Sequence, residues 1–195
     1  MGYSLGWFAS SARGVRNVRT DGMKVLIRDG DLLDQPVEVV VNAWNRNIIP
    51  WWLLWPQGVW GSIKRRGGIA PFREVARHEP IRLGGAVATG AGRLPFLGII
   101  HVAGIDMWWR ASEYSVRESV RSAMGLVCRM GCASVAFPLI GAGSGGGSAQ
   151  EVERFMLDEL SRIEYEGAVY VVRFRRGVSI DRKGGGSWEK SETAP

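Results

Sequence analysis

Cysteine and histidine are scarce in this chain of 195 residues, with two of each. Two cysteines build no disulfide framework of the kind small secreted domains depend on. Cys128 and Cys132, taken with His78 and His101, show no zinc-ligand spacing, so neither a metal nor another cofactor is called for. The cysteines read instead as small buried groups at a helix end, and His101, inside a strand, as a core residue. Long apolar runs are also missing. The richest, over 48–56, is nine residues, against the roughly 18–20 a membrane span needs. No internal repeat is present, and the first arginine follows the early apolar residues, unlike a secretory leader. Gly6 stands where N-myristoylation after Met1-Gly2 needs Ser or Thr. The expectation is a cytoplasmic protein with no membrane partner.

What the chain does have is an ordinary globular composition, 46% hydrophobic and 23% charged, in a length suited to one core. It is rich in glycine, with 27, and in tryptophan, with nine. The net charge of +6 and a pI near 9.8 favour anionic partners. Basic residues cluster at Arg13, Arg16 and Arg19, at Lys64, Arg65 and Arg66, and at Arg173, Arg175, Arg176, Arg182 and Lys183. Nucleic acid is therefore a partner to weigh against plain solvated faces.

Short β-branched runs alternate with amphipathic stretches. Strands are expected over 23–31, 37–45, 84–92, 97–105, 133–140 and 168–175, and the Val-rich run ending at Asn45 reads as covered on both faces. Helices are expected over 58–68, stopped by Gly67-Gly68, and over 70–80, with proline at both ends. The clearest helix covers 111–130: Tyr114, Val116, Val120, Ala123, Met124, Val127 and Cys128 keep a 3.6-residue spacing behind Ser112 as N-cap. A last helix over 148–163 has Ser148 and Glu151 at capping-box spacing. This alternation predicts an α/β protein with a largely parallel or mixed sheet. Residues 1–22 read as an N-terminal extension that adds an edge strand, 23–176 as the domain, and 177–195 as a flexible tail.

The strongest local signal is the strand ending Phe137-Pro138-Leu139-Ile140, followed by Gly141-Ala142-Gly143-Ser144-Gly145-Gly146-Gly147 and a capped helix. Glycines let backbone N–H groups approach a phosphate, and a helix N-terminus adds partial positive charge there. Ligands of open α/β sheets bind at strand ends. Asp31, in that position, suits an exocyclic amine or a turn cap. Asn42 and Asn45 suit sugar hydroxyls or buried backbone groups. Gly58-Val59-Trp60-Gly61 opens a helix and offers a second phosphate turn.

Taken in order, Gly30-Asp31-Leu32, Val41-Asn42-Ala43-Trp44-Asn45, Gly58-Val59-Trp60-Gly61-Ser62-Ile63, Ile100-His101-Val102-Ala103-Gly104 and Phe137-Pro138-Leu139-Ile140-Gly141-Ala142-Gly143 resemble the macrodomains, a family that binds ADP-ribose. The resemblance covers about 23–174. It implies a three-layer α/β/α sandwich around a central mixed sheet. Asp31 then resembles the carboxylate that reads the adenine amine, with Leu32 beside it. Gly58, Val59, Trp60 and Gly61, and Ile140, Gly141, Ala142, Gly143, Ser144 and Gly145, resemble the two walls around the diphosphate. Asn45 resembles the amide at the distal ribose.

The chain also departs from the family. Hydrolytic members of the MacroD-type branch carry an aspartate where Trp60 stands, and an indole has no basic lone pair for general-base work. Gly145 replaces a bulky aromatic that packs on the distal ribose. The segment 48–56, with Trp51, Trp52 and Trp55, lies where the family has glycines; a satellite core, a lid over the ligand and a dimer interface compete for it, and packing with one Trp lining the site is favoured. The resemblance implies a protein that binds ADP-ribose or an ADP-ribosylated substrate and hydrolyses ADP-ribosyl adducts or O-acyl-ADP-ribose. A non-catalytic ADP-ribose reader and a nucleic-acid or poly(ADP-ribose) module are the alternatives. Asn45 and Asp106 are the candidates for catalysis.

Overall fold

The computed structural model describes residues 15–19, 22–45, 58–78, 80–143 and 146–174. The Trp-rich segment 48–56, Ser144, Gly145 and the tail 177–195 lie outside the described residues.

Seven strands form one sheet: β1 (Val15–Arg19), β2 (Met23–Gly30), β3 (Val39–Asn45), β4 (Ala86–Thr89), β5 (Gly98–Ile105), β6 (Ser134–Pro138) and β7 (Gly167–Phe174). Their spatial order is β1-β2-β7-β6-β3-β5-β4. The five inner strands are parallel, while β1 and β4 pair antiparallel at the two edges. Parallel neighbours need crossovers, and helices α1 (Gly58–Gly67), α2 (Ala70–Val75), α3 (Glu113–Arg129) and α4 (Ala149–Leu160) lie in those connections.

Strand alternation divides the core in two. Val39, Val41, Ile100, Val102, Val135, Phe137, Val169 and Val171 face α3 and α4, where they meet Val116, Val120, Met124, Val152, Met156 and Leu160. Val40, Ile99, Ala103, Ala136 and Val172 face the other way, against Ile63 of α1, Phe72 and Val75 of α2, and Leu32 and Leu33. Burial on both faces explains why the inner strands read as continuous apolar runs. The result is the expected α/β/α sandwich with a mixed sheet.

Helix ends follow the sequence with one exception. Ser112 caps α3 by accepting from the Ser115 N–H, and Ser115 reciprocates, so the capping box is built from two serines. Ser148 stands at the N-cap of α4, but its hydroxyl bonds no amide, so the expected Ser148–Glu151 box does not form. Arg117 and Arg121 of α3 lock onto α4 through Asp158 and the buried Glu159, with Arg121 Nη2 2.7 Å from Glu159 Oε1. Cys132 is buried as expected, whereas Cys128 falls on the solvent side of α3.

Candidate functional site

All five parallel strands end on one edge of the sheet, and a cleft of about 530 Å³ opens there. Its strand-end lining is Ala43 and Trp44 of β3, Gly104 and Ile105 of β5, Pro138 of β6, and Val172, Arg173 and Phe174 of β7. Val59 and Trp60 open α1 beside it, Ala149 opens α4, and Leu139, Gly141, Ala142, Gly143 and Trp109 come from loops. This is the place and size at which open α/β sheets hold ligands.

One wall is aromatic. The Trp44 ring centroid lies 5.7 Å from Phe72 and 6.2 Å from Trp60, and Trp60 meets Phe72 edge-on at 5.7 Å. Trp60 is only 8% exposed, with its indole N–H buried and unpaired and the Lys64 ammonium 5.1 Å from its ring. It is a wall and not a base.

The glycine loop makes another side. Gly141 has φ +87°, and a Cβ there would stand 2.4 Å from the Ala111 Cβ. Glycine is therefore required both by backbone conformation and by close approach. The loop closes through Gly147 N–H donating to the Gly141 carbonyl at 3.2 Å. Around Gly143 an added Cβ would meet nothing within 4 Å, so its backbone faces open space. With Ser148 not capping, the first-turn amides of α4 add donors to this side.

Of the sequence candidates, the structure brings Val59, Trp60, Gly141, Ala142 and Gly143 together in the lining. Gly58 starts α1 and Gly61 lies buried one residue beyond Trp60. Asn45 ends β3, paired with Ile105. Asp31 sits at the end of β2. Its neighbour Gly30 pairs with Phe174, so Asp31 flanks the β7 end of the cleft. Its Oδ1 accepts from the Leu33 N–H at 2.9 Å, and its Oδ2 lies 3.6 Å from Arg66 Nη1.

Two candidates are corrected. Asn42 is fully buried, because strand alternation turns it to the α1–α2 face, where its Nδ2 donates to His101 Nδ1 at 3.1 Å. It is a core residue and not a sugar contact. Leu32 and Ile140 bury their side chains in opposite cores and stand outside the cleft lining, so any ligand contact they make is through their backbone. Asp106 is not a base poised over the cleft: its Oδ1 accepts the Trp108 and Arg110 N–H groups at 2.8 and 2.9 Å, and Arg110 Nε lies 3.6 Å from Oδ2. Its carboxylate organises a turn.

His101 is a buried relay. With Nδ1 accepting from Asn42, Nε2 carries the proton and donates to Thr89 Oγ1 at 2.9 Å, and Thr89 donates to the Gly90 carbonyl at 3.1 Å. Burial pushes the imidazole pKa from 6.5 down to about 3, so the ring is neutral. It supports Trp44 and Phe72, which it meets edge-on at 6.1 Å.

Arg173 is the one ionisable side chain among the described lining residues, and it is already committed. Its Nε and Nη2 form a fork on the buried Glu153 at 2.6 and 2.7 Å, which holds the guanidinium charged. An anion in the cleft would therefore meet mostly backbone N–H groups. Sequence reasoning missed Phe174, which is 59% exposed at the end of β7, and the last residue of a parallel strand was the signal that could have found it.

Fold and cleft define a class: a three-layer sandwich with a cleft at the carboxyl edge of its mixed sheet, between a glycine loop and an aromatic wall. The family model of the Macro domain matches residues 41–156, and on that match the chain belongs to the macro domain family. An uncharacterized protein of Aquifex aeolicus is 32% identical over 169 residues, covering 86% of this chain and 97% of that protein. A macro domain-containing protein of Streptomyces coelicolor is 34% identical over 154 residues, 73% of this chain and 80% of its own length. Among solved structures, the Oceanobacillus iheyensis macrodomain with ADP superposes with a TM-score of 0.73 at 25% identity, covering 85% of this chain and 91% of that one.

Proposed function

We propose that the cleft binds ADP-ribose, free or attached to another molecule. The observation that carries this is the glycine loop between β6 and α4, whose open backbone at Gly143 adjoins the uncapped α4 N-terminus. Such a surface suits a diphosphate without a free cation, since several N–H donors share its charge. The α1 start at Gly58, Val59, Trp60 and Gly61 supplies the facing turn, and the family resemblance adds Ser144 and Gly145 to the diphosphate wall. At the β7 end, Phe174 offers a ring face for the adenine and Asp31 Oδ2 an acceptor for its amine. Asn45 serves the distal ribose.

The chemistry of the lining favours a reader over a hydrolase. No carboxylate or imidazole stands among the described lining residues, and the family resemblance sets Trp60 against the aspartate of the hydrolytic branch. Hydrolysis of an ADP-ribosyl adduct would then need a water activated by the substrate's own phosphate. Incubating the protein with mono-ADP-ribosylated protein and following released ADP-ribose divides the two: no release above background supports the reader, and turnover restores the hydrolase. The basic clusters are tested by titrating a random single-stranded oligonucleotide at two salt concentrations. Affinity that exceeds ADP-ribose binding and falls steeply with salt would put nucleic acid first.

A further inference from the structure

The turn after β5 is built around an unusual residue. Trp109 is the non-glycine residue with positive φ, +60°, among the described residues, a conformation a bulky side chain rarely adopts. Asp106 holds it there. The Asp106 carboxylate takes the Trp108 and Arg110 N–H groups, its carbonyl takes the Trp109 N–H at 3.1 Å, and its own N–H donates to the Arg110 carbonyl at 3.0 Å. The same segment is braced against the glycine loop, because Ala111 fills the space a Gly141 Cβ would need. Four hydrogen bonds hold this strained backbone, and the result is an indole in the cleft lining, 42% exposed.

Its place along the cleft follows from the sheet. Phe174 ends β7 and Ile105 ends β5, with β6 and β3 between them. Three strand spacings put these ends about 14 Å apart. The two exposed aromatic lining residues, Phe174 and Trp109, thus mark opposite ends of the cleft, with the glycine loop after β6 between them.

We propose that Trp109 is the wall for the distal ribose, held by Asp106 as a positioning residue, and that it sets the preference for ADP-ribose over ADP. This rests on the ADP-ribose reading above: with the adenine at Phe174 and the diphosphate on the glycine loop, the second pentose reaches the β5 end. Its C–H face packs on the indole, a contact that ADP, ending at the diphosphate, does not make. Trp108, 75% exposed and outside the lining, takes no part.

Calorimetric titration with ADP-ribose and ADP, beside thermal melts, tests this. Trp109→Gly should weaken ADP-ribose about tenfold and leave ADP unchanged, the size of a lost stacking contact. Its melting temperature should hold or rise, because glycine takes a positive φ freely. Trp109→Phe should recover most of the affinity, and Trp108→Ala should match the native protein. Asp106→Asn, which keeps the Oδ1 acceptor, should bind normally, while Asp106→Ala should lose affinity for ADP-ribose alone. Equal losses on both ligands, or none, would overturn the wall while leaving ADP-ribose binding standing. A native protein that binds neither ligand would overturn both readings.

Discussion

The buried His101 makes stability depend on pH in a way that can be worked out in advance. Its ring is fully buried, both nitrogens are bonded, and its folded pKa is about 3 against 6.5 in an open chain. Below pH 6.5 the unfolded chain takes up a proton that the folded protein refuses until about pH 3. Stability from this residue is therefore whole above pH 6.5 and drains as pH falls from 6.5 towards 3. The slope is about 1.4 kcal/mol per pH unit, so about 3 kcal/mol is gone two units below the open-chain value. That is a large share of the roughly 5–15 kcal/mol that holds a domain folded. Urea unfolding at intervals between pH 7 and pH 4, on the native protein and on His101→Gln, isolates the effect. The variant carries a roughly constant penalty for disturbing Asn42 and Thr89, about 1–3 kcal/mol, while carboxylate titrations common to both proteins cancel in the difference. The gap between the two curves should narrow by about one proton's worth per pH unit. Parallel curves would refute the neutral buried imidazole. The site is involved too, since Trp44 leans on this ring and lines the cleft.

Other expectations follow from the cleft itself. Gly141→Ala places a Cβ 2.4 Å from Ala111 at φ +87° and should cost roughly 2 kcal/mol or more in a thermal or urea melt. Gly143→Ala, with open space around it, should melt like the native protein and so report on ligand contact alone in a titration. Gly104→Ala drives a Cβ to 2.2 Å from Ile140 Cγ2 and should destabilise by about 1–3 kcal/mol. Asp31→Ala should weaken ADP-ribose binding roughly tenfold and relax the preference for adenine over other bases, measured by competition.

Much of the sandwich is legible in the chain because its inner strands are covered on both faces. The run around Val39, Val40 and Val41 has no polar face to show, and the 3.6-residue spacing of α3 points one stripe at one layer. The glycine loop is legible as well, since few backbones other than a close turn need so many glycines. Asn42 misleads because its partner, His101, is 59 residues away, and only the strand register makes them neighbours. Asp106 misleads because a carboxylate at a strand end looks the same whether it will meet a ligand or tie its own turn. The Trp109 backbone is a consequence of that tie, visible once the Asp106 contacts are known.

Calorimetric titration of the full chain with ADP-ribose decides whether the cleft is what its geometry suggests. Saturable binding of one molecule per chain, with a dissociation constant below millimolar, is expected, and it should weaken on Asp31→Ala. Absence of any heat of binding up to millimolar ADP-ribose would contradict the assignment of the cleft.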